Sequence, residues 1–473
     1  MSNDRSYQRT ATLILVVAVR KLFNEEIFIN NCIAGGYFCE FRTPGLATPE
    51  NVERIKVKMQ QIIDANVPVK KEVLSLEDAM IVFGRERDKK ELLKYNTNSV
   101  IETYDLEGVR DYFEMVPSTG VIKSFDLYCY EEGFILQLPN DINVANLPKL
   151  SKTVREAKNW ARMLGVDVIY SLNKKIIEGK TQELVQISEA LHEKEISDIA
   201  DRIRYFKNRK VVLIAGPSSS GKTTFAKRLA IHLKVFGITP KLISMDDYFV
   251  DREFTPLDEN GEYDFESIDA VNTKLFNEHI SALVDGKKVE IPTFDFKQGK
   301  SELKGNFIQL EQDDVLIVEG IHALNDKASY SVDSEQKFKI YVSALTALNV
   351  DYTNRIPTTD VRLIRRIIRD NRYRGVTPEQ TLSRWDSVKK GESKNIFPFQ
   401  EQADVFFNTT LIYELPVLRQ QAEALLFTIE RDSDYYADAR RLLQFLQYFV
   451  GIDADLVPQN SLLREFIGGS CFE

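Results

Sequence analysis

Val211-Val-Leu-Ile-Ala215 runs directly into Gly216-Pro217-Ser218-Ser219-Ser220-Gly221-Lys222-Thr223-Thr224, and Phe225-Ala-Lys-Arg-Leu-Ala230 follows. A short apolar run rich in β-branched residues predicts a buried parallel strand. The segment after it has helical spacing, so Gly-x-x-x-x-Gly-Lys-Thr lies between a strand and a helix, the context that makes it a phosphate loop. Gly216 and Gly221 let the backbone wrap tightly enough for successive amides to face one anion. The following helix N-terminus adds partial positive charge there. Lys222 is then expected to reach the β- and γ-phosphates, and the Thr223 hydroxyl to hold Mg²⁺. The expected ligand is a nucleoside triphosphate, with Gly216 through Thr224 as its binding residues.

The chain has 473 residues, 43% of them hydrophobic and 28% charged, a composition that predicts an ordinary globular protein of several domains. A net charge of −9 argues against general affinity for nucleic acid or an anionic membrane. The four cysteines (Cys32, Cys39, Cys129, Cys471) lack metal-type spacing and disulfide density, which fits a reducing, cytoplasmic location. Ala11 to Val19 is apolar but far shorter than the ~20 residues that span a bilayer. Arg20-Lys21 follows it with no small-residue cleavage site, and its β-branched content predicts a strand.

Four regions are expected: 1–145, 146–205, 206–412 and 413–473. In the first, Val52 to Ile63 and Leu76 to Phe83 have helical spacing, and Leu127 to Leu138 suggests two short strands around Glu131-Glu132-Gly133. The polar stretch Asn140 to Pro148 marks a boundary, and the charged helical pattern beyond it predicts a solvated connector. The third region alternates strand candidates (Val211–Ala215, Lys241–Ser244, Val315–Val318, Phe338–Val342 and Asp404–Asn408) with helical patterns. That alternation predicts a doubly wound parallel α/β sheet, with its site at the carboxyl ends of the strands. The last region is a helical tail, expected to pack on the third; Gly468-Gly469 within it suggests a helix stop.

Three motifs fall where such a site should be. Met245-Asp246-Asp247-Tyr248 follows the second strand, and Asp246 is the expected base for an attacking hydroxyl. Val315-Leu-Ile-Val-Glu319 ends a strand in an acid suited to ordering Mg²⁺. Val361 to Arg374 carries six arginines around the stripe Leu363, Ile364, Ile367 and Ile368. With no interleaved series of aromatics in an acidic chain, this predicts a lid whose arginines close over transferring phosphates, not a nucleic-acid patch.

Taken in order, Gly216 to Thr224, Ile243-Ser-Met-Asp246-Asp-Tyr, Tyr263-Asp264-Phe265, Pro292-Thr-Phe-Asp-Phe296, Val318-Glu319-Gly320 and Arg362 to Asp370 resemble the uridine/cytidine kinase branch of the uridine kinase–phosphoribulokinase family. The resemblance spans about residues 208–410 and implies a P-loop NTPase fold and ATP- and Mg²⁺-dependent phosphorylation of a nucleoside 5′-hydroxyl. It implies Asp246 and Lys222 as catalytic residues, with Asp264 on the ribose hydroxyls and Phe294 and Phe296 lining the nucleoside pocket. It places Thr223 and Glu319 on Mg²⁺, Arg366 near the substrate, and Arg369 and Arg374 near ATP. The chain departs from the family pattern at Gly299, Val376 and Arg384, where base or lid contacts are expected. Phosphate and ribose chemistry is therefore expected to be kept while base choice stays open.

Residues 45–140 resemble the second, editing-type domain of threonyl-tRNA synthetase, through Met59 to Pro68, Val73 to Phe83, and Asp111 to Gly120 with Phe125-Asp-Leu. That domain uses a His-x-x-x-His pair with a later Cys and His, whereas no histidine here precedes His192, so binding, regulation or assembly is expected instead of editing. Two other readings stay open, a kinase of another small hydroxyl substrate and an ATP-binding adaptor linked to tRNA. A homo-oligomer also stays open.

Overall fold

The computed structural model describes residues 2–33, 36–139, 147–206, 210–259 and 261–472, so most of the expected boundary at Asn140 lies outside the described residues. The chain divides into two compact units.

The first unit comprises Met1–Lys180, Thr346–Pro357 and Leu443–Val450. It opens with helix α1 (Ser2–Phe23), then strands β1 (Ile27–Ile33) and β2 (Gly36–Phe41), helix α2 (Pro49–Asp64) and strand β3 (Lys70–Ser75). Helices α3 (Leu76–Val82) and α4 (Arg87–Leu93) precede strands β4 (Val100–Leu106), β5 (Val109–Asp111), β6 (Asp126–Tyr130) and β7 (Gly133–Gln137). Helices α5 (Pro148–Met163) and α6 (Ile169–Ile177) follow. The strands form an antiparallel sheet in the order β1-β2-β7-β6 and a smaller one in the order β3-β4-β5.

The expected helices over Val52–Ile63 and Leu76–Phe83 are α2 and α3, and the hairpin around Glu131-Glu132 is β6–β7. Ala11 to Val19 is a correction: it lies inside α1, not in a strand. Apart from the half-buried Thr12, its residues are at most 9% exposed, the signature of a helix buried on nearly every side. Periodicity cannot separate such a helix from a buried strand when nearly every position is apolar.

Thr346–Pro357 threads into this unit and is held by charge. Lys89 Nζ lies 2.5 Å from Asp111 Oδ2 and 3.3 Å from Asp351 Oδ2, with all three groups buried. Tyr112 donates its hydroxyl to Asp351, and Asn354 Nδ2 donates to Asp111 Oδ2 at 2.9 Å. Nearby, Lys158 Nζ donates to Asn349 Oδ1 at 2.8 Å, and Asn349 Nδ2 donates to Ile29 O at 3.0 Å.

The second unit comprises Thr181–Leu345, Thr358–Leu442 and Gly451–Glu473. Helix α7 (Thr181–Tyr205) leads to β8 (Val211–Ala215), α8 (Lys222–Val235), β9 (Thr239–Ser244) and α9 (Thr273–Val284). The hairpin β10 (Val289–Asp295) and β11 (Lys300–Ile308) precedes β12 (Asp314–Glu319) and β13 (Lys337–Ser343). Helices α10 (Thr358–Arg374) and α11 (Pro378–Asn395), strand β14 (Val405–Asn408) and helices α12 (Glu414–Leu426), α13 (Tyr436–Leu446) and α14 (Arg464–Ile467) complete it. From Leu443 onward, α13 belongs to the first unit.

The five expected strands form one parallel sheet in the order β14-β13-β8-β12-β9. This is the expected doubly wound P-loop sheet, with β8 buried along its whole length. The register pairs Glu319 with both Ile214 and Ser244, so the carboxyl ends of β8, β9 and β12 lie level. The chain order reverses on either side of β8, where such sheets bind ligands. Helix α7 packs on α8: Glu193 pairs with Arg228 and His232, each at 2.8 Å. The C-terminal Gly468 (φ 84°) is the left-handed stop after α14. Among the described residues, no helix is long and apolar enough to cross a membrane.

Burial pushes the Lys158 ammonium down to about 7, helped by Arg162. Below its unfolded value of about 10.4 the unfolded chain binds this proton more readily. The Lys158 contribution to stability therefore rises between about pH 7 and 10 and is lowest below 7. Lys158→Met is expected to raise the melting temperature at pH 7 and to flatten its rise toward pH 10, measured by thermal unfolding across that range.

Candidate active site

The phosphate loop is built by close approach. A Cβ on Gly216 would lie 2.0 Å from Val342 O, so β8 can meet β13 there only with glycine. Ser219 (φ 57°) and Gly221 (φ 86°) take left-handed conformations that turn the loop into α8. The first bond inside that helix runs from Phe225 N to Gly221 O, so the amides of Lys222, Thr223 and Thr224 point out of its N-terminus. Lys222 Nζ donates back to Pro217 O at 3.2 Å.

Side chains beneath the loop hold this shape. Glu392 Oε1 accepts from Ser218 N at 2.9 Å while pairing with the buried Arg362. Thr409 Oγ1 donates to Ser220 O at 2.6 Å. Arg365, fully buried, pairs with Glu414 and reaches Thr409 and Ser219 O. Arg362 and Arg365 are therefore loop supports, buried on the helix face opposite the apolar stripe, and the expected lid arginines are the others of this helix. Helical spacing shows which residues share a face but not whether both faces are covered.

Three of the remaining four arginines gather around Asp370, while Arg372 donates to Gln421 at 3.2 Å. Arg366 Nε lies 3.2 Å from its carboxylate, Arg369 Nη2 2.7 Å, and Arg374 Nη1 3.6 Å. Burial pushes Asp370 up, but these three cations outweigh it and hold it below the usual carboxylate range. Arg366 Nη1 also donates to Ser218 Oγ at 2.9 Å, which puts this expected substrate residue against the phosphate loop. Arg374 sits over the Phe296 ring at 4.9 Å, its pKa lowered to about 10 by burial and by Arg369.

On the other side of the loop, Glu319 Oε1 accepts from Ser244 Oγ at 3.0 Å and from Thr223 Oγ1 at 3.2 Å. Burial and then Asp246 push its carboxyl up to about 7. Of the two neighbouring aspartates, Asp247 accepts from Phe294 N at 3.3 Å and anchors β10. The charge of Asp246 is instead felt at Glu319, Glu266, Arg369 and Arg374, so it lies near these groups. Phe294 and Phe296 meet edge to face at 5.1 Å, with Phe249 behind them.

Two acids of the Tyr263 to Glu266 turn are placed differently from each other. Asp264 Oδ1 accepts from the backbone of Glu266 at 3.1 Å and shapes the turn. Glu266 is the buried carboxylate, 4.0 Å from Arg366, with its Oε2 unpartnered. Burial and Glu392 push Glu266 up to about 7 against the pull of Arg366 and Lys222. The sequence signal was present, two acids one residue apart in Tyr263-Asp-Phe-Glu266, but it does not say which one turns inward. Glu392 and Glu465, which accepts from Thr224, lie in none of the motifs, and Asp370 closes the Arg362 to Asp370 motif without a role read from it.

The departures are also placed. Gly299 (φ 71°) closes a turn in which Arg252 fills the space beside it, and Arg252 donates to Phe296 O at 2.7 Å. Arg384 is exposed on α11, and Val376 N bonds to Asp370 O at 3.2 Å.

Glu319 with the Thr223 and Ser244 hydroxyls is an all-oxygen set, the donor type that suits a hard divalent cation such as Mg²⁺. Among the described residues, no cluster of three His, Cys, Asp or Glu could hold a metal by itself, so the ion would share phosphate oxygens. The residues fit Mg²⁺ held together with a nucleotide.

Residues 211–413 match the model of the phosphoribulokinase / uridine kinase family. The uridine kinase of Halobacterium salinarum is 30% identical over 193 residues, 41% of this chain and 76% of that protein. The uridine kinase of Staphylococcus haemolyticus is 30% identical over 199 residues, 42% and 86% of the two chains. Among solved structures, the D-glycerate 3-kinase of Cryptococcus neoformans is 14% identical, with a TM-score of 0.22 over 55% of this chain and 78% of that one. The two relatives, matched over most of their length by a region that carries the phosphate loop, establish that the chain belongs to the phosphoribulokinase / uridine kinase family and is an ATP-dependent kinase.

Proposed function

We propose that this kinase transfers the γ-phosphoryl group of ATP to the ribose 5′-hydroxyl of a uridine- or cytidine-like nucleoside, as a cytoplasmic enzyme of nucleotide salvage. The observation that carries this reading is Glu266, a buried carboxylate with an unpartnered oxygen beside the phosphate loop, within reach of the Asp246 charge. A polyhydroxylated substrate supplies the donors such an oxygen lacks. The edge-to-face pair Phe294 and Phe296 adds an aromatic wall suited to a base.

In this reading Asp246 accepts the 5′-hydroxyl proton as that oxygen attacks. Lys222 and the outward amides of α8 carry charge on the nucleotide phosphates. Arg366, Arg369 and Arg374 stand on the opposite side, oriented by Asp370, and stabilise charge that develops on the transferred group. Thr223 and Glu319 would hold Mg²⁺, which neutralises phosphate charge when bound. Glu266 accepts from the ribose hydroxyls beside Asp264, the acid the family resemblance implies there. The N-terminal region, resembling a synthetase editing domain without its histidines, serves binding, regulation or homo-oligomer assembly.

A second reading, a kinase of another small hydroxyl substrate, is favoured by Gly299: the position expected to contact the base is a tight turn packed on Arg252.

ADP release from ATP·Mg²⁺ across a panel of nucleosides, sugar phosphates and pantothenate tests both readings. Turnover with one or a few nucleosides is expected, with kcat reduced about 10²–10⁴-fold by Asp246→Asn. Turnover only with a non-nucleoside would overturn the nucleoside reading in favour of the second. Glu266→Gln is expected to raise KM for the nucleoside about tenfold while ATP affinity holds, as loss of a charged hydrogen bond predicts. Because Glu266 accepts best when ionised, the wild-type nucleoside KM should fall as pH rises through about 7. That trend should be absent in Glu266→Gln.

A further inference from the structure

The last residues of the chain return to the mouth of the phosphate loop. Glu465 Oε2 accepts from the Thr224 amide at 3.1 Å and from its hydroxyl at 2.8 Å. Leu462 lies against Gly221 so closely that a Cβ there would be 2.5 Å from Leu462 Cδ2. The Phe466 ring lies 4.9 Å from the guanidinium of Arg365, the residue that supports the loop from beneath.

The segment is tied down at both ends. Cys471 N bonds to Gln459 O at 3.0 Å, which closes it into a loop. Lys227 of α8 donates to Phe472 O at 2.9 Å, and Asn460 donates to Glu193 at 3.1 Å. Arg464 secures the turn by donating to Ala454 O at 3.0 Å and Gly468 O at 3.2 Å.

We propose that this segment is a tethered competitor of the nucleotide: Glu465 places a carboxylate on the Thr224 amide and hydroxyl and must leave them when a phosphate binds. The Thr224 amide has one proton, and two anions do not share it at hydrogen-bond distance. A carboxylate is the charge that this helix end attracts in the absence of phosphate. A tail that merely covered the loop would be served by Leu462 and Phe466 alone. The consequence is a nucleotide affinity set below what the loop itself would give, because binding must first release Glu465. The inference rests on the phosphate loop binding nucleotide and not on which acceptor the kinase uses.

Equilibrium binding of ADP and of adenosine to the full-length chain tests it, with Glu465→Gln compared with wild type. The variant keeps the shape of the side chain and removes its charge, so ADP is expected to bind about tenfold tighter, as for loss of one charge-assisted hydrogen bond. Adenosine, which has no phosphate, should bind unchanged. Unchanged or weaker ADP binding by the variant would overturn the proposal, as would an equal gain for adenosine. Hydrogen exchange on the wild-type protein reads the same event without a variant. Saturating ADP should speed exchange at the amides of residues 462–468, and added protection there would count against release. ADP binding to neither protein would overturn the nucleotide reading itself, an outcome distinct from equal binding by both.

Discussion

The second unit depends on holding a loop of outward-facing amides in a shape that a free chain does not favour. Ser219 and Gly221 sit in the left-handed region, and Gly216 touches the backbone of β13. Such a loop persists only where its surroundings determine it from several sides. Here Glu392 takes one loop amide, Thr409 takes one loop carbonyl and Arg365 reaches another. Both arginines involved are buried with a carboxylate partner, an arrangement in which removing one partner leaves a charge stranded and costs about 3–5 kcal/mol.

That support explains why the arginine-rich helix has two jobs. Its face toward α11 and α12 carries Arg362 and Arg365, whose charges are neutralised by Glu392 and Glu414. Its last turns carry Arg366, Arg369 and Arg374, held as a group by Asp370. One carboxylate shared by three guanidiniums leaves donors facing outward and keeps the group oriented before any phosphate arrives. Opposite them, the level ends of β9 and β12 set Ser244 and Glu319 side by side, with Thr223 closing the set.

The first unit follows a different principle. Its core surrounds the largely apolar middle of α1, and Thr346–Pro357 is secured there by the buried cluster of Lys89, Asp111, Asp351 and Tyr112. That segment follows β13 and leads directly into α10 along the chain. Buried ion clusters specify position more than they add stability, because desolvation offsets much of their attraction.

The parallel sheet, the phosphate loop and the strand-end acids were legible in the sequence because each rests on local pattern: a short apolar run, glycines at fixed spacing, a carboxylate where a strand ends. Only the tertiary structure decided that Ala11 to Val19 is helical, since a stretch apolar but for Thr12 has almost no periodicity to betray its geometry. It also decided that Glu266 and not Asp264 turns inward, and that two of six arginines are buried supports. Neighbouring acids or arginines look alike in one dimension, and their environment comes from elements far along the chain. Glu465 is the extreme case, meeting Thr224 of the phosphate loop across 241 residues with nothing in its own sequence to announce the pairing. Local physics therefore determined the sheet and the loop, while long-range burial decided which charged side chains support them and which face the site.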